Sequence, residues 1–446
     1  MIEKPKIEYK LYTRRWFNMA LFVMYTINAG AQWLQFSIID NLVQKYYEGI
    51  TPESIEWTTM SSMLAYVPFT FPSLYLLDKL GVRTTMIIGI TGFTIGTWIK
   101  VFSVHRESFY LVLTGTAVQA GFQVLTFALS ARFTAIWFGA HEISTAGALC
   151  LFGDQLGVAI SSFIPKILVK DDSIEVIRNG LQKMHWLHAG VSTAVLVLIV
   201  SFFKAQPKSP PSAAQASQRQ TERKHVYQAV KSIVKKPSFI LISLSYGLNL
   251  GLINAVISLL NRNISINFPE RTLDAGYIGT LILFSGMISS LFFGKIIDKT
   301  RKFKESAVLL TSGSAIAFMA FTWALESDNI IYVYVASFFI GSFTLSYYGT
   351  GFQMAIEVTF PISEEISAAT SFLITEFLSF VITSSYGYLI GKYSSLPSNV
   401  VLIVLFFLAA LCAYLVPSDL RRQQVEESAR EKTREKEMAD LISNKI

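Results

Sequence analysis

Leu77-Asp78-Lys79-Leu80-Gly81-Val82-Arg83 and Gly294-Lys295-Ile296-Ile297-Asp298-Lys299-Thr300-Arg301-Lys302 are two short polar interruptions in an otherwise apolar chain. Each sets an acid directly before a lysine, at the end of a long apolar run, with more positive charge just behind. The two aspartates stand 220 residues apart in a chain of 446. A motif recurring at half the chain length marks an internal repeat, a construction common among membrane carriers. An acid at a helix end can pair with a basic group, or with a helix terminus, on its neighbour and so latch that side of each half. Asp78, Lys79, Arg83, Asp298 and Lys299 are therefore the expected gate residues on this side.

Outward from these loops, the apolar residues gather into runs of membrane-crossing length. Hydrophobic residues make up 52% of the chain and charged ones 15%, where soluble domains carry about 25% charged residues. The runs fall near residues 16–38, 58–77, 84–102, 109–131, 144–168 and 186–203, then 238–260, 277–297, 308–325, 330–348, 368–390 and 400–415. Each can cross a hydrocarbon layer of ~30 Å. The expected architecture is an all-α membrane protein of twelve transmembrane helices in two six-helix bundles. Residues 1–204 form the first bundle, 205–237 a linker, 238–418 the second bundle and 419–446 a tail. The first run outlasts a signal-peptide core and lacks a cleavage site, so it is read as a true span.

This composition excludes a soluble enzyme, a secreted disulfide module and a disordered scaffold. Cys150 and Cys412 both sit inside apolar runs and offer no disulfide framework. The net charge of +7 does not point to nucleic acid, because 28 of the 38 Lys and Arg residues fall on one side of the spans. That asymmetry places both termini in the cytoplasm, and the plasma membrane is the expected location. The basic stretch from Lys224 to Lys236 reads as a short amphipathic helix at the inner leaflet. Asn263-Ile264-Ser265 is a glycosylation sequon close to the seventh span.

Polar side chains inside hydrocarbon are costly and turn toward the bundle interior. The first span carries Asn28, Gln32, Trp33 and Gln35, the fourth Gln119 and Gln123, and the fifth Asp154 within Gly153-x-x-x-Gly157. The seventh carries Tyr246, Asn249 and Asn254, the tenth Tyr347 and Tyr348, and the eleventh Glu376. Lys100, Arg132 and Lys166 stand at span ends, so the mid-span ionisable groups are Asp154 and Glu376, both acidic. Acids and aromatic rings suit a cation, since a ring face attracts a quaternary ammonium by ~0.5–2 kcal/mol. His185 and His188 have metal-ligand spacing but no neighbouring acid or thiol, and are read as residues of the outer interface. No metal or cofactor is implied.

Several strings resemble the feline leukaemia virus subgroup C receptor family of major facilitator superfamily transporters. They include Arg14-Arg15-Trp16, Ala31-Gln32-Trp33-Leu34-Gln35-Phe36-Ser37, Met63-Leu64-Ala65-Tyr66-Val67-Pro68, Trp137-Phe138-Gly139, Ser245-Tyr246-Gly247 and Ser418-Asp419-Leu420-Arg421-Arg422. The two loops likewise resemble the superfamily's signature loop, with Leu74 where its first Gly belongs and Arg301 where the second copy's later Gly belongs. The resemblance implies a uniporter-like carrier of choline and ethanolamine; alternating access and a monomer in the bilayer are the expected mode and state. The resemblance also implies a cavity with a Trp on span one, a Gln on span four, a Tyr on span seven and a Gln on span eleven. Trp33 and Gln123 match the first two, while Asn254 and Glu376 stand at the others; Gln32 and Tyr246 complete the expected binding residues. Haem or porphyrin export is the alternative that the family name invites, and a non-transporting receptor retaining the fold is another. Haem brings two propionates and usually an axial ligand, for which these spans supply neither a central basic residue nor a mid-span His.

Overall fold

The structure is a computed structural model describing residues 11–139, 142–207, 209, 226–300, 302–359 and 364–417. The tail beyond residue 417 and Arg301 lie outside the described residues, as does the side chain of Asp298. The first half contains α1 (Arg14–Gly30), α2 (Asp40–Tyr46), α3 (Pro52–Val101), α4 (Phe109–Trp137), α5 (Ile143–Leu168) and α6 (Ile174–Phe202). A short α7 (Val226–Ile233) leads to α8 (Pro237–Ser258), α9 (Leu260–Asn267), α10 (Asp274–Thr300) and α11 (Phe303–Leu325). Helices α12 (Ile330–Thr359), α13 (Glu364–Lys392) and α14 (Ser395–Leu415) complete the described chain.

Among the described residues, ten helices are long and apolar enough to cross a membrane. Helix α3, at 50 residues, would measure about 75 Å if straight, far beyond one crossing. It breaks at Gly81, whose φ of 73° lies where only glycine escapes a steric penalty. Helix α1 has 17 residues and falls just short of a full crossing length. Counting α3 as two and adding α1 gives the twelve expected passes.

The helices turn inside out relative to a soluble bundle. On α10, Ile288, Leu291 and Phe292 are exposed while Ser285 is buried; on α11, Leu309 and Ile316 are exposed while Thr311 and Ser314 are buried. Such a surface is stable only against lipid, which solvates apolar side chains and leaves polar ones to find partners within the protein. Buried serines and threonines accordingly bond back to their own helices, as Thr311 does to the Ala307 carbonyl at 2.8 Å.

Two boundaries differ from expectation for local reasons. The first helix stops at Gly30, and residues 31–36 form turns before a short 3₁₀ segment, Ser37–Ile39. Helix α6 begins three turns earlier than its apolar run, because Ser173 caps it by accepting the Val176 amide at 3.4 Å. The charged first turns hide this start from hydropathy but not from the helix. His185 and His188 consequently lie well inside α6 and are buried, correcting their placement at the outer interface. Helix α7 falls where the amphipathic segment was expected, but Ile233 is fully buried and α7 packs on α13, tying it to the second half.

Close helix approach is set by glycines in the same helix pair of each half. Gly153 and Gly157 on α5 press on α1, where a Cβ on either would collide with Thr26 or with the Ile27 carbonyl. Gly247 and Gly251 on α8 press on α13, where a Cβ would meet Leu378 at 2.8 Å or the Ser379 amide at 3.1 Å. In lipid there is no hydrophobic drive between helices, so packing at this range is what holds such pairs.

The sequon at Asn263 is consumed by packing. Asn263 is fully buried, donates to the Tyr386 hydroxyl at 2.8 Å and accepts from the Ser395 hydroxyl at 2.9 Å. We expect the protein to carry no glycan there, as checked by an unchanged gel mobility after glycosidase treatment. Asn263→Ala should destabilise the protein by about 1–3 kcal/mol, because it removes two buried hydrogen bonds; a thermal-shift assay in detergent measures this.

Candidate functional site

Two faces can be told apart by chain direction. The terminal face carries the start of α1 and the end of α6; the distal face carries the opposite ends. On the terminal face Asp78 pairs with Arg132 of α4 at 2.6 Å, and Arg132 also donates to the Leu77 carbonyl at 3.2 Å. Arg83 donates to the Val200 carbonyl at 3.2 Å, Lys79 lies 4.5 Å from the Tyr75 ring centroid, and Arg15 holds Glu142 at 3.0 Å. The loop acid therefore finds the basic neighbour that a latch within the first half requires. Lys299 lies exposed at the end of α10 in the second half.

On the distal face a set of buried polar contacts joins one half to the other. Glu56 of α3 pairs with Arg262 of α9 at 2.8 Å, and both are largely buried. Lys166 of α5 donates to the Asn261 side chain at 2.7 Å and also to the Thr272 carbonyl. Asn261 in turn bonds Asp40 of α2, and its amide reaches Asn41 at 3.3 Å. Burial pushes the Asp40 carboxyl above its ordinary range, with the Asn261 hydrogen bond pulling the other way. Helices α2, α3, α5 and α9 are thus cross-linked around Arg262 and Asn261.

Between the two faces, near the middle of the spans, an acid-and-tyrosine cluster lies at the junction of the halves. Gly153 fixes α5 on α1, and the next residue, Asp154, is brought within electrostatic range of Glu376. Glu376 stands on α13, beside the Thr375 that packs on Gly247. Asp154 and Glu376 are 222 residues apart, nearly the spacing of the loop aspartates, so they occupy matching helices of the repeat. Tyr66 of α3 and Tyr348 of α12 feel both carboxylates, and Tyr246 of α8 feels Glu376. Tyr246 stacks on Tyr348 with centroids 6.0 Å apart and planes 19° from parallel, while Tyr66 meets Phe372 edge-on at 5.0 Å. The Tyr246 hydroxyl is buried without a hydrogen-bond partner. Among the described residues, no hydrogen bond or ion pair engages either carboxylate.

The expected site residues divide into groups. Glu376 and Tyr246 belong to this cluster. Asn254 donates to Ser379 of α13 at 3.3 Å, one turn from Glu376. Trp33, half-buried, stands in the turn beyond α1, held on one side by Gln32 and on the other by the Leu34 amide, which donates to Ser161 at 2.7 Å. Gln123 is half-buried on α4.

Gln32 is drawn instead into a polar core of the first half. Its carbonyl oxygen accepts from Gln119 at 2.8 Å and from the Lys100 ammonium at 3.2 Å, and its amide donates to Ser192 at 3.1 Å. Lys100 also reaches the Gln119 oxygen at 2.6 Å, and its backbone carbonyl lies 2.6 Å from His185 Nδ1. Lys100 is 2% exposed, so it is interior rather than at a wet span end as its sequence position implied. Its electrostatic neighbours include His185 and His188 but neither Glu376 nor Asp154. Sequence reading counts Asp154 and Tyr348 among the inward-facing polar residues without naming them as binding residues, and does not single out Tyr66; the 222-residue spacing of the two acids was the signal that could have promoted the first.

The larger of the two described pockets, about 610 Å³, is a groove between Trp98 and Trp186 on the lipid-facing side of α3 and α6, away from this cluster.

Comparison with known proteins places this geometry. The family model of the Major Facilitator Superfamily matches residues 21–364. The choline/ethanolamine transporter FLVCR2 of Rattus norvegicus is 32% identical over 428 residues, 95% of this chain and 78% of that protein. The choline/ethanolamine transporter FLVCR1 of Felis catus is 31% identical over 425 residues, covering 94% and 76% respectively. Among solved structures, a D-xylose-proton symporter superposes with a TM-score of 0.72 at 13% identity, over 91% of this chain and 98% of that one. The chain is therefore a multi-pass membrane transporter, not an enzyme, and it belongs to the Major Facilitator Superfamily as a relative of the FLVCR choline/ethanolamine transporters.

Proposed function

We propose that this chain carries a small organic cation of the choline and ethanolamine class by alternating exposure of a mid-membrane site. The supporting observation is the Asp154–Glu376 pair: two carboxylates from opposite halves, with Tyr66, Tyr246 and Tyr348 in electrostatic range and offset by no basic group among the described residues. Unpaired acids in low dielectric attract a positive ligand, and tyrosine faces add to that attraction. The binding residues in this reading are Trp33, Gln123, Asn254, Glu376 and Tyr246, with Gln32 positioning Trp33 from within the polar core. The bundles 1–204 and 238–418 rock about the site, joined by the 205–237 linker. Asp78, Lys79 and Arg83, with Asp298 and Lys299, gate a cytoplasmic face that also carries both termini, at the plasma membrane.

Radiolabelled choline and ethanolamine uptake in cells expressing the chain tests this. Uptake should exceed background, and Trp33→Ala should reduce it about tenfold at low substrate, as loss of ~1.4 kcal/mol of ring contact requires. Uptake at background, or uptake indifferent to Trp33, counts against the reading. Haem ranks below: the buried Lys100, His185 and His188 sit in the polar core of the first half, and the acid cluster would repel propionates.

A further inference from the structure

Glycine contacts fix the register of one half on the other. A Cβ on Gly92 of α3 would run into the Phe122 ring of α4, and one on Gly313 of α11 into the Phe343 ring of α12. A Cβ on Gly30 would meet the Gly157 Cα at 3.1 Å, and one on Gly251 the Ser379 Cα at 3.2 Å. These counterparts stand 221 or 222 residues apart. In that register Gln32, Thr97, Lys100 and Gln119 correspond to Ile253, Phe318, Phe321 and Ile340. Each of these four apolar residues is at most 1% exposed, and Phe318 stacks on Phe321 at 5.8 Å. The same packing scheme thus closes over an apolar core in one half and over a lysine and two glutamines in the other. A buried ammonium among amides is the costlier filling, so the fold alone does not call for it.

What accompanies the polar core is a break in the chain. Helix α8 runs on past Gly251 to Ser258, whereas α1 stops at Gly30 and the chain turns through residues 31–36. Gln32 lies in that turn, and its side-chain oxygen accepts from Lys100 at 3.2 Å, Gln119 at 2.8 Å and Thr97 at 3.3 Å. Lys100 and Gln119 are themselves joined at 2.6 Å, which closes a triangle around residue 32. The next residue is Trp33, whose amide donates to the Gly30 carbonyl at 3.1 Å; its counterpart Asn254 is carried in regular helix. We propose that Lys100 and Gln119 are positioning residues: by gripping Gln32 they hold the turn that sets Trp33, and through Trp33 they set the affinity for the organic cation. They act through Gln32 and not on the ligand. The consequence for transport rests on the cation reading above; the grip on the turn does not.

The paired variant Lys100→Met, Gln119→Leu gives this core the apolar character of the second half. Exchanging a buried polar network for apolar side chains of similar size is often neutral or stabilising, so the unfolding temperature should hold. Hydrogen exchange on the substrate-free protein, read by mass spectrometry, should quicken about tenfold or more in residues 31–36 and stay unchanged in α8. In radiolabelled choline and ethanolamine uptake the half-saturating concentration should rise about tenfold, as far as Trp33→Ala raises it, with the maximal rate within about twofold of the parent. Built on Trp33→Ala, the same pair should change that concentration by less than about twofold, because the ring it positions is gone. Gln32→Met removes the gripped group itself; it should reproduce both effects and decides the matter if the paired variant does not fold. Unchanged exchange in residues 31–36 overturns the positioning, whatever is transported. Faster exchange with affinity intact, or with a loss that adds to that of Trp33→Ala, overturns the link to Trp33. Uptake of neither probe by the parent protein overturns the cation reading and the transport consequence with it, while the exchange result still decides whether Lys100 and Gln119 hold the turn.

Discussion

Arg262→Ala should spring the distal face open. Arg262 is the counter-ion of Glu56, at 2.8 Å, and Glu56 is 7% exposed. Removing one partner of a buried ion pair leaves the other uncompensated and costs about 3–5 kcal/mol. That penalty exists only while the halves are closed over Glu56. If they part, water reaches the carboxylate and relieves it. The closed-to-open equilibrium should therefore shift by roughly 10²–10³-fold toward the open form. A reporter for this is Met63→Cys, placed on α3 where Met63 is buried against Thr383 of the opposite half, in a background with Cys150 and Cys412 changed to serine. A membrane-impermeant maleimide added from the distal side should label it about 100-fold faster in Arg262→Ala. Removing both charges together, Glu56→Gln with Arg262→Met, should return labelling most of the way, because no lone buried charge is left. Labelling at the parent rate in Arg262→Ala would show that the ion pair does not hold this face shut.

The latch illustrates what a sequence of this kind exposes and what it conceals. Hydropathy reports the free energy of each segment against lipid, so it locates the passes well. The Asp78 loop was readable too: a glycine with positive φ and an acid at a helix end are local devices, and the structure uses both, at Gly81 and in the Asp78–Arg132 pair. Lys100 is the contrary case. A lysine in the last turn of a span ordinarily reaches for water. Here Gln32 from the turn after α1 and Gln119 from α4 converge on it and enclose it, which no single segment encodes. Gln32 consequently belongs to this core and not to the acid cluster. Helix α6 shows the same limit at its start, where polar first turns conceal a capped helix and with it the burial of His185 and His188. Asp154 was visible as an acid in a glycine-flanked stretch. Its facing Glu376 depends on how the two halves meet, a property of the assembled repeat.

That meeting sets the second large effect. Glu376→Lys should abolish cation transport while leaving a folded protein, and Glu376→Gln should not. The introduced ammonium would lie within range of Asp154, so the substitution replaces two like charges with a compensated pair. Stability is then preserved or raised, unlike in most charge insertions into a span. For a cation in the site the change is severe. At ~5 Å and an effective dielectric of ~20, one unit charge contributes ~3 kcal/mol, so reversing its sign moves binding by up to ~6 kcal/mol. Uptake at low substrate should fall by more than about 10²-fold even if half of that is screened. The amide variant removes charge without reversing it, keeps a polar group at the spot and leaves Asp154 to attract the ligand, so a loss within about tenfold is expected. Surface abundance and unfolding temperature, measured alongside uptake, distinguish a blocked site from a lost fold. Uptake by a well-folded Glu376→Lys protein at more than a tenth of the parent rate would mean that the transported solute does not meet Glu376, and the cation reading of this site would fall with it.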